Sequence, residues 1–337
     1  MDASLQMSST LRRAVVVAAA LSCAAGFAGG RALAQAAASS FPERTVRIIV
    51  PFPAGGATDI VARALAERMS AAWKQPVVIE HVAGATGAIG SAQAARAPRD
   101  GYTLIAGVGT TTAILKALKP NLAFDPINDF APVSLITVFP NILVVRGDFP
   151  AANVPELIDV LRANPGKFTY ATSGHGSSLH LAAELFKLTT KTDIVHVPYT
   201  GSAPAITALL GGHVDLIFDT IPSIWPSVQS GKLKALAVAS RQRASAAPDL
   251  PAIAETLPGF DVTSWEGILA PAGTPAAVVV KIADEVRRVA AEPSFAQSLL
   301  KLGAVATSST PEEFAAFIAA DYAKWQRVVK EAGIKVQ

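Results

Sequence analysis

The feature that most constrains this fold is a regular alternation of short, β-branched apolar runs with longer helical stretches. Apolar runs at 46–50, 77–79 and 102–108 are typical of strands, and the stretches at 58–72 and 89–96 show helical spacing. Strands that alternate with helices in this way indicate a mainly parallel sheet with helices on both faces. The sequence therefore predicts an α/β fold.

The same pattern starts again near the middle of the chain, so a second α/β unit follows the first. We predict two lobes, one formed by residues 41–140 together with 266–337, and the other by residues 141–265. This division makes the chain cross between the lobes twice, near 140–145 and near 263–270. Two crossings form a hinge, and a cleft between two lobes is a preferred place for a ligand.

The N-terminus has the three parts of an export signal. Arg12–Arg13 ends a short basic region, an apolar run follows, and Ala32–Ala34 supplies a small-x-small cleavage pattern. The apolar run is shorter than the roughly 20 residues that a membrane-spanning helix needs. We predict a signal peptide over 1–34 with cleavage near Ala34, a linker over 35–40, and a mature protein in the periplasm. The paired arginines leave open whether export follows the general or the twin-arginine route.

Cysteine and charge exclude several classes of protein. The only cysteine, Cys23, lies inside the predicted signal peptide, so the mature chain is expected to have no disulfide and no thiolate metal site. Arg12, Arg13 and Arg31 against Asp2 account for two of the three net positive charges. Because no stripe of Lys and Arg with interleaved aromatic residues is visible, we expect no nucleic-acid partner.

Four loops at strand ends carry residue types that suit ligand binding. Pro51–Asp59 contains adjacent glycines, which let the backbone approach a ligand without a Cβ in the way. Thr172–Leu181 and Pro198–Ala203 are rich in glycine and hydroxyl groups, and Asp219 lies at the end of a further apolar run. The first three loops open helices, whose free N–H groups and dipoles favour an anion. None of the loops contains Lys or Arg, which favours a carboxylate over a phosphate.

These loops also have a structural interpretation, namely capped helix starts and, for Asp219, a hydrogen-bonded turn carboxylate. Uncharged amide and hydroxyl donors from both lobes would nevertheless suffice to hold a small organic acid. The predicted ligand-binding residues are Pro53, Ala54, Gly55, Gly56, Ala57, Thr58, Asp59, Thr172, Ser173, Gly176, Ser177, His180, Thr200, Gly201, Ser202, Ala203 and Asp219.

Catalysis and metal binding find little support in the sequence. Ser177 and His180 could pair as nucleophile and base, but no third, orienting group can be assigned to them. The glycines at 84–90 lack the lysine of a phosphate-binding loop. The five histidines show no metal-ligand spacing with acidic residues. We predict no catalytic residue, no metal and no cofactor.

A series of short blocks runs in order through nearly the whole mature chain, including Phe41–Arg44, Ile48–Asp59, Tyr170–Gly174, His196–Tyr199 and Leu269–Pro275. In these blocks the chain resembles the substrate-binding receptors of tripartite tricarboxylate transporters, known as the Bug family. The resemblance implies a two-lobe, type II periplasmic-binding fold that closes on its ligand. It also implies delivery of the ligand to a membrane permease made of a large and a small subunit.

The resemblance further implies which loops meet the ligand. They are the proline–glycine loop at Pro53–Asp59, the second-lobe loop at Thr172–His180, and the positions Thr200–Ala203 and Asp219. The chain departs from the family pattern at His81–Gly87, where the usual run is Asn-Arg-Pro-Gly-Ala-Gly-Gly. The arginine is lost there, so we expect one edge of a lobe to differ.

We therefore expect a non-catalytic, extracytoplasmic receptor that captures a small carboxylate between its lobes and delivers it to a tripartite transporter. It is expected to act as a monomer. One alternative is a ligand sensor that presents its closed form to a signalling partner. Another is a hydrolase that uses Ser177 and His180.

Overall fold

The structure, a computed structural model, describes residues 40–119, 121–245 and 247–332. From Arg44 onward, the described residues form one compact unit. The predicted signal peptide and nearly all of the predicted linker lie outside the described residues. Among the helices of the described part, none is both long and apolar enough to cross a membrane.

The first part of this unit alternates strands with helices, as the sequence predicts. Strand β1 pairs in parallel with β2 on one side and with β3 on the other. A π-helical turn at Thr110–Ile114 follows β3 and leads into a short helix. The elements, in chain order, are β1 (Val46–Val50), α1 (Ala57–Trp73), β2 (Val77–His81), α2 (Ala88–Ala95), β3 (Thr103–Val108), α3 (Leu115–Leu118) and β4 (Phe130–Arg146).

The rest of the chain supplies a second set of strands and the C-terminal helices. Their bounds are α4 (Val154–Ala163), β5 (Thr169–Thr172), α5 (Ser178–Thr190), β6 (Val195–Pro198), α6 (Ser202–Leu210), β7 (Leu216–Thr220), α7 (Ile221–Gln229), β8 (Leu233–Val238), β9 (Thr263–Pro271), α8 (Ala276–Ala290), α9 (Pro293–Lys301), β10 (Val305–Ala306) and α10 (Pro311–Ala332). The strand β5 pairs in parallel with β6 and β7, so the second set repeats the α/β pattern.

The long strand β4 joins the two sets of strands. Its first part, Phe130–Pro140, lies antiparallel to β9, in the sheet that contains β1, β2 and β3. Its second part, from Asn141 onward, lies antiparallel to β7 and β8. We call these two groups of strands the first sheet and the second sheet. The chain thus passes from the first sheet to the second between Pro140 and Asn141.

The chain returns to the first sheet next to the point at which it left. The Val262 N–H donates to the Ala239 carbonyl of the second sheet, whereas the next residue, Thr263, pairs with Pro140 in the first sheet. Both crossings therefore lie side by side, close to the two places that the sequence predicts.

Helix α10 packs against residues of both sheets. A capping box fixes its start, because the Glu313 N–H donates to Thr310 Oγ1 and the Thr310 N–H donates to the Glu313 carboxylate. Phe314, in the first turn, is buried among first-sheet residues. Trp325, three turns later, is buried in a different cluster, which is built mainly from the second sheet.

Several elements are not predicted by the sequence pattern, and three of them are important for the site. Helix α7 contains Pro222 in its first turn and Pro226 in its interior, so its sequence looks like a loop. The first part of β4 contains Pro132 and ends at Pro140, which also argues against a strand. The π-helical turn at Thr110–Ile114 has no clear sequence signal. All three elements lie beside the cavity described next.

Candidate functional site

Helix starts and strand ends from both sheets surround one cavity. It contains about 630 Å³ of empty space, counting the part that opens to solvent. Its walls carry hydroxyl groups and aromatic rings, and none of its lining residues, all from the described ranges, is Lys, Arg or His. They are Phe52, Pro53, Gly56, Ala57, Thr58, Val108, Gly109, Thr110, Ile114, Phe139, Ser173, Ser178, Leu179, Ser202, Thr220, Thr263, Ser264, Trp265, Asp321 and Trp325.

Four helices begin at this cavity, namely α1, α5, α6 and α7. Helix starts leave backbone N–H groups without a partner in the helix itself. In the described part of the chain, the N–H groups of Thr58 and Leu179 have no hydrogen-bond partner. Because both residues line the cavity, their N–H groups and the dipoles of α1 and α5 favour an anion there.

The loop before α1 is held by Asp59 from behind. Asp59 is buried, and its carboxylate accepts from the Gly55 N–H at 2.9 Å, from Arg63 at 2.8 Å and from His81 at 2.7 Å. Burial would raise the pKa of Asp59, but these three partners together hold that pKa below its usual value. His81 belongs to the stretch that departs from the family pattern. The departure therefore changes a partner of Asp59, which holds the loop before α1.

Glycines in two facing loops allow a close approach between the sheets. A Cβ at Gly201 would lie 2.8 Å from Pro53 Cδ, and a Cβ at Gly174 would lie 2.8 Å from Thr86 Oγ1. Thr86 also donates its hydroxyl to the carbonyl of His175 at 2.9 Å. The sequence predicts that glycine here makes room for a ligand, and the structure shows that it makes room for the opposite loop.

Two helix-start N–H groups are already paired across the gap between the sheets. The Ala57 N–H of α1 donates to Ser223 Oγ of α7 at 2.8 Å. The Ser178 N–H of α5 donates to Thr110 Oγ1 of the π-helical turn at 3.1 Å. These hydroxyls take two N–H groups that the sequence interpretation assigns to a ligand. The N–H groups of Thr58, Leu179 and Ser202, at the starts of α1, α5 and α6, have no partner within the described residues.

Asp219 lies directly behind the second-sheet wall of the cavity. It is fully buried, and its Oδ1 accepts from Ser202 Oγ at 2.8 Å and from the Thr220 N–H at 2.6 Å. Its Oδ2 is buried without a partner in the described structure. Burial raises the pKa of Asp219 to about 7, although the hydrogen bonds from Thr220 and Ser202 act in the opposite direction.

The cavity hydroxyls fall into two groups according to where their protons point. Ser202 donates to Asp219, and Ser264 donates to Asn141 Oδ1 at 2.6 Å, so these oxygens present lone pairs to the cavity. The hydroxyls of Thr58 and Ser173 make no hydrogen bond within the described residues, so their protons are free to donate. The cavity thus offers both free hydroxyl donors and hydroxyl oxygens whose protons are already used.

An aromatic wall closes the cavity on the side of α10. Trp265 donates its indole N–H to Asp321 Oδ2 at 2.8 Å, and Lys324 forms an ion pair with Asp321 Oδ1 at 2.9 Å. Asp321 therefore has a partner on each oxygen. Trp265, Asp321 and Trp325 are not predicted as site residues, because their contact joins positions 56 residues apart in the chain.

Three histidines lie together next to the second-sheet loops, although their spacing in the sequence indicates no metal site. The nearest ring nitrogens of His175, His180 and His196 lie within 4.8 Å of one another. The rings of His180 and His196 are stacked at 4.3 Å with 19° between their planes, so one metal ion cannot lie in both ring planes. His180 Nδ1 also accepts from the Gly176 N–H, which leaves the proton on Nε2 rather than a lone pair for a metal.

Burial keeps the rings of His180 and His196 neutral. It lowers the pKa of His180 to about 4 and that of His196 to about 3, with further lowering of the latter by the neighbouring histidines. Ser177 and His180 do not form a nucleophile–base pair. Ser177 Oγ caps α5 by accepting from the His180 backbone N–H, and no hydrogen bond joins it to the His180 ring in the described structure.

Six of the predicted site residues line the cavity, and the others stand behind it or beside it. The six are Pro53, Gly56, Ala57, Thr58, Ser173 and Ser202. Those outside the lining are Ala54, Gly55, Asp59, Thr172, Gly176, Ser177, His180, Thr200, Gly201, Ala203 and Asp219. Several of these outer residues, such as Asp59 and Asp219, hold the lining residues in place through hydrogen bonds.

One further buried acid, Glu266, is not predicted by the sequence analysis. Glu266 of β9 is fully buried, and neither of its carboxyl oxygens has a partner within the described residues. Burial, reinforced by the negative charge of Asp59, raises the pKa of Glu266 well above its usual value. A glutamate inside an otherwise apolar strand is the only sequence signal for it.

Comparison with known proteins gives consistent results for this chain. The sequence profile of the TctC family, described as the tripartite tricarboxylate transporter family receptor, matches residues 61–334. The protein BugT of Bordetella pertussis is 34% identical over 306 residues, which cover 90% of this chain and 94% of BugT.

Two solved structures are similar in both sequence and fold. An R. palustris protein solved with adipate is 36% identical, with a TM-score of 0.86 over 88% of this chain and 99% of the other. MatC from Rhodopseudomonas palustris with bound malate is 36% identical, with a TM-score of 0.82 over 86% of this chain and 100% of the other. Receptors of this kind bind solutes and are not enzymes, and the predicted two-lobe α/β fold is confirmed. The chain belongs to the tripartite tricarboxylate transporter receptor family, as its Bug-like sequence blocks predict.

Proposed function

We propose that this chain is a periplasmic receptor that captures a small carboxylate in the cavity between its two sheets. The observation that carries the proposal is the set of free N–H groups at Thr58, Leu179 and Ser202, at the starts of α1, α5 and α6. Uncharged donors at helix starts suit a carboxylate. The adipate and malate bound by two relatives support the same ligand class.

In this proposal the ligand carboxylate sits against the free donors of the cavity. The Thr58 and Ser173 hydroxyls add two donors to the free N–H groups, and the aromatic wall with Trp265 covers the apolar part of the ligand. Residues such as Asp59 and Gly201, which lie outside the lining, act by shaping the loops.

The proposed mechanism is closure of the two lobes on the ligand. The lobes are residues 41–140 with 266–337, and residues 141–265, and they move about the paired crossings near Pro140 and Thr263. A ligand that touches both lobes gains contacts in the closed form only, so it shifts the population toward that form. The closed receptor, acting as a monomer, then delivers the ligand to the large and small subunits of a permease. We also propose that the signal peptide is cleaved near Ala34.

Isothermal titration of the purified mature protein with adipate, malate and the uncharged diamide of adipate tests the function. We expect one of the two acids to bind and the diamide to bind at least about tenfold more weakly, because a hydrogen bond to a charged group contributes about 1.5–3 kcal/mol. The Thr58→Val and Ser173→Ala variants should each weaken binding. Thr189→Val, on the exposed face of α5, is the matched control. Equal binding of acid and diamide would contradict the proposal.

A further inference from the structure

The geometry around Asp219 is unusual for a buried aspartate. Its hydrogen-bond partners are the Ser202 hydroxyl and the backbone and hydroxyl of Thr220, all uncharged, and its Oδ2 has no partner within the described residues. An ionised carboxylate without a cationic partner is strongly disfavoured in a protein interior. Asp219 is thus surrounded by groups that can orient it but cannot neutralise it.

The elements packed around Asp219 carry few titratable groups, and none of those in the described structure forms a hydrogen bond or ion pair with it. Helices α6 and α7 carry none at all. The titratable and charged groups on the other neighbouring elements are Asp59, Arg63, Glu67 and Arg68 on α1, Arg146 on β4, Tyr170 on β5, and His180, Glu184 and Lys187 on α5. A change of charge at Asp219 therefore alters first the hydrogen bonds made by the cavity hydroxyls.

A chain of hydroxyl groups carries that change to the cavity and across to α1. Thr220 Oγ1 donates its only proton to Asp219, so Ser223 is the donor in its 2.9 Å hydrogen bond to Thr220 Oγ1, and Ser223 Oγ also accepts from the Ala57 N–H. With Asp219 ionised, the hydroxyl protons of this chain are directed toward it. The hydroxyls of Ser202 and Thr220 then present only lone pairs to the cavity, which repel a carboxylate.

A neutral Asp219 changes this arrangement in two ways. A hydrogen bond to a neutral carboxyl oxygen is about half as strong as one to a carboxylate, so the Ser202 hydroxyl is freer to turn toward a ligand. The like charge behind the wall is also removed. Both effects favour an anionic ligand, and neither favours a ligand that offers a hydroxyl or amine donor to Ser202.

We propose that Asp219 is a proton-linked specificity residue, which takes up one proton from solvent when a ligand carboxylate binds beside Ser202 and Thr220. The inference rests on the proposed carboxylate-binding function and adds a second, proton-dependent position for an anionic group, beside Ser202 and Thr220. A dicarboxylate, which can place one anionic group at the free donors and the other at this position, is the ligand class that shows the linkage most strongly.

The direction of the pH dependence follows from this linkage. Burial already raises the pKa of Asp219 to about 7, and a ligand carboxylate beside it raises the pKa further. Below pH 7 the residue is neutral in both states, so no proton is taken up. Above pH 7 the free protein must gain a proton to bind, so affinity falls as pH rises.

Calorimetric titration with adipate, in pairs of buffers with different ionisation enthalpies, measures the proton uptake directly. If malate is the acid that binds, it takes the place of adipate. We expect uptake to be largest at about half a pH unit above the free pKa, and Kd to increase about fivefold to tenfold between pH 6.5 and 8.5, since a shift of one pKa unit is a factor of ten. Asp219→Asn should bind with the same Kd throughout and take up no proton. Asp249→Asn, which removes an exposed acid far along the chain, should behave like the unaltered protein.

The outcomes separate the two proposals. Tight binding of the acid with no proton uptake and a constant Kd in the unaltered protein overturns the role of Asp219 and leaves the proposed function intact. The same holds if Asp219→Asn keeps the full pH dependence, which would assign the linkage to another group such as Glu266. If neither acid binds at any pH, both proposals fail. The measurement on the unaltered protein does not depend on whether a variant folds.

Discussion

Two aspartates on opposite sides of the cavity show how neighbours decide the charge of the same side chain. Asp59, behind the first-sheet loop, is paired with Arg63 and His81 and accepts a backbone N–H, and its pKa is lowered. Asp219, behind the second-sheet loop, is bonded to hydroxyls and one backbone N–H, and its pKa is raised to about 7. One loop is held by a permanent anion and the other by a group that titrates near neutral pH.

This difference teaches that burial alone does not set the role of an acid. Both residues are nearly inaccessible to solvent, but only Asp59 has a cationic partner, Arg63, together with a hydrogen bond to the His81 ring. The cost of desolvating Asp59 is offset by these partners, whereas at Asp219 it is offset by protonation. The comparison can be tested through stability as well as through binding.

The largest expected effect is on the pH dependence of stability at Asp219. Its folded pKa lies above the ordinary value of 3.8, so its contribution to stability is complete below pH 4 and is lost as pH rises through about 7. Asp219→Asn should therefore be more stable than the unaltered protein at pH 8, by on the order of a few kcal/mol, and similar at pH 4. Urea unfolding at both pH values checks this, and a lower stability of the variant at pH 8 would contradict it.

Asp59→Asn should show the opposite sign. The pKa of Asp59 is lowered, so its contribution to stability is present above pH 3.8 and is lost as pH falls through the folded value. At pH 7 the variant should lose about 1–3 kcal/mol of unfolding free energy, because hydrogen bonds to a charged group are removed. The loss should shrink in unfolding experiments below pH 4. A loss that is independent of pH would mean that the carboxylate charge is not what holds the loop.

A smaller effect, on stability and ligand binding, is expected at Ser223, whose hydroxyl links the two sheets. Ser223→Ala removes the acceptor of the Ala57 N–H, which should cost about 1 kcal/mol of stability and weaken ligand binding. Ser227→Ala on the same helix, a partly exposed position, serves as the matched control in thermal unfolding and titration. Equal behaviour of the two variants would show that the link across the gap is unimportant.

The smallest effect is expected at Arg63. Its side chain is 59% exposed, so its ion pair with Asp59 is largely screened by water. Arg63→Ala should lower stability by less than about 1 kcal/mol, and the loss should decrease at high salt. A salt-independent loss of more than this would indicate that Arg63, rather than His81 and the Gly55 N–H, fixes the charge of Asp59.

Much of the fold follows from local sequence patterns. Strands such as β1 and helices such as α8 have the apolar spacing and breakers that define them, and the two crossings coincide with the restart of the pattern. Helix α7 does not follow, because its prolines hide a helix that is stabilised by its buried face. At α7 the local helix propensity is low, and tertiary packing stabilises the helix despite it.

The candidate site is less predictable than the fold. Glycine-rich helix starts indicate the loops, and six of the predicted residues line the cavity. The direction of each hydroxyl proton depends on partners far along the chain, as in Ser264 with Asn141, which are 123 residues apart. The same is true of the aromatic wall, which exists only because α10 returns to the cavity.

The position of α10 has a consequence for any motion of the two sheets. Phe314 anchors the start of the helix in one cluster and Trp325 anchors its later turns in the other, and Trp325 also lines the cavity. Separation of the sheets must therefore either bend this helix or withdraw an indole ring from its packed surroundings. Fully exposing a large apolar side chain costs about 2–3 kcal/mol, so the packing of α10 opposes separation of the sheets. The fluorescence of Trp325 should then report separation of the two sheets without any attached label.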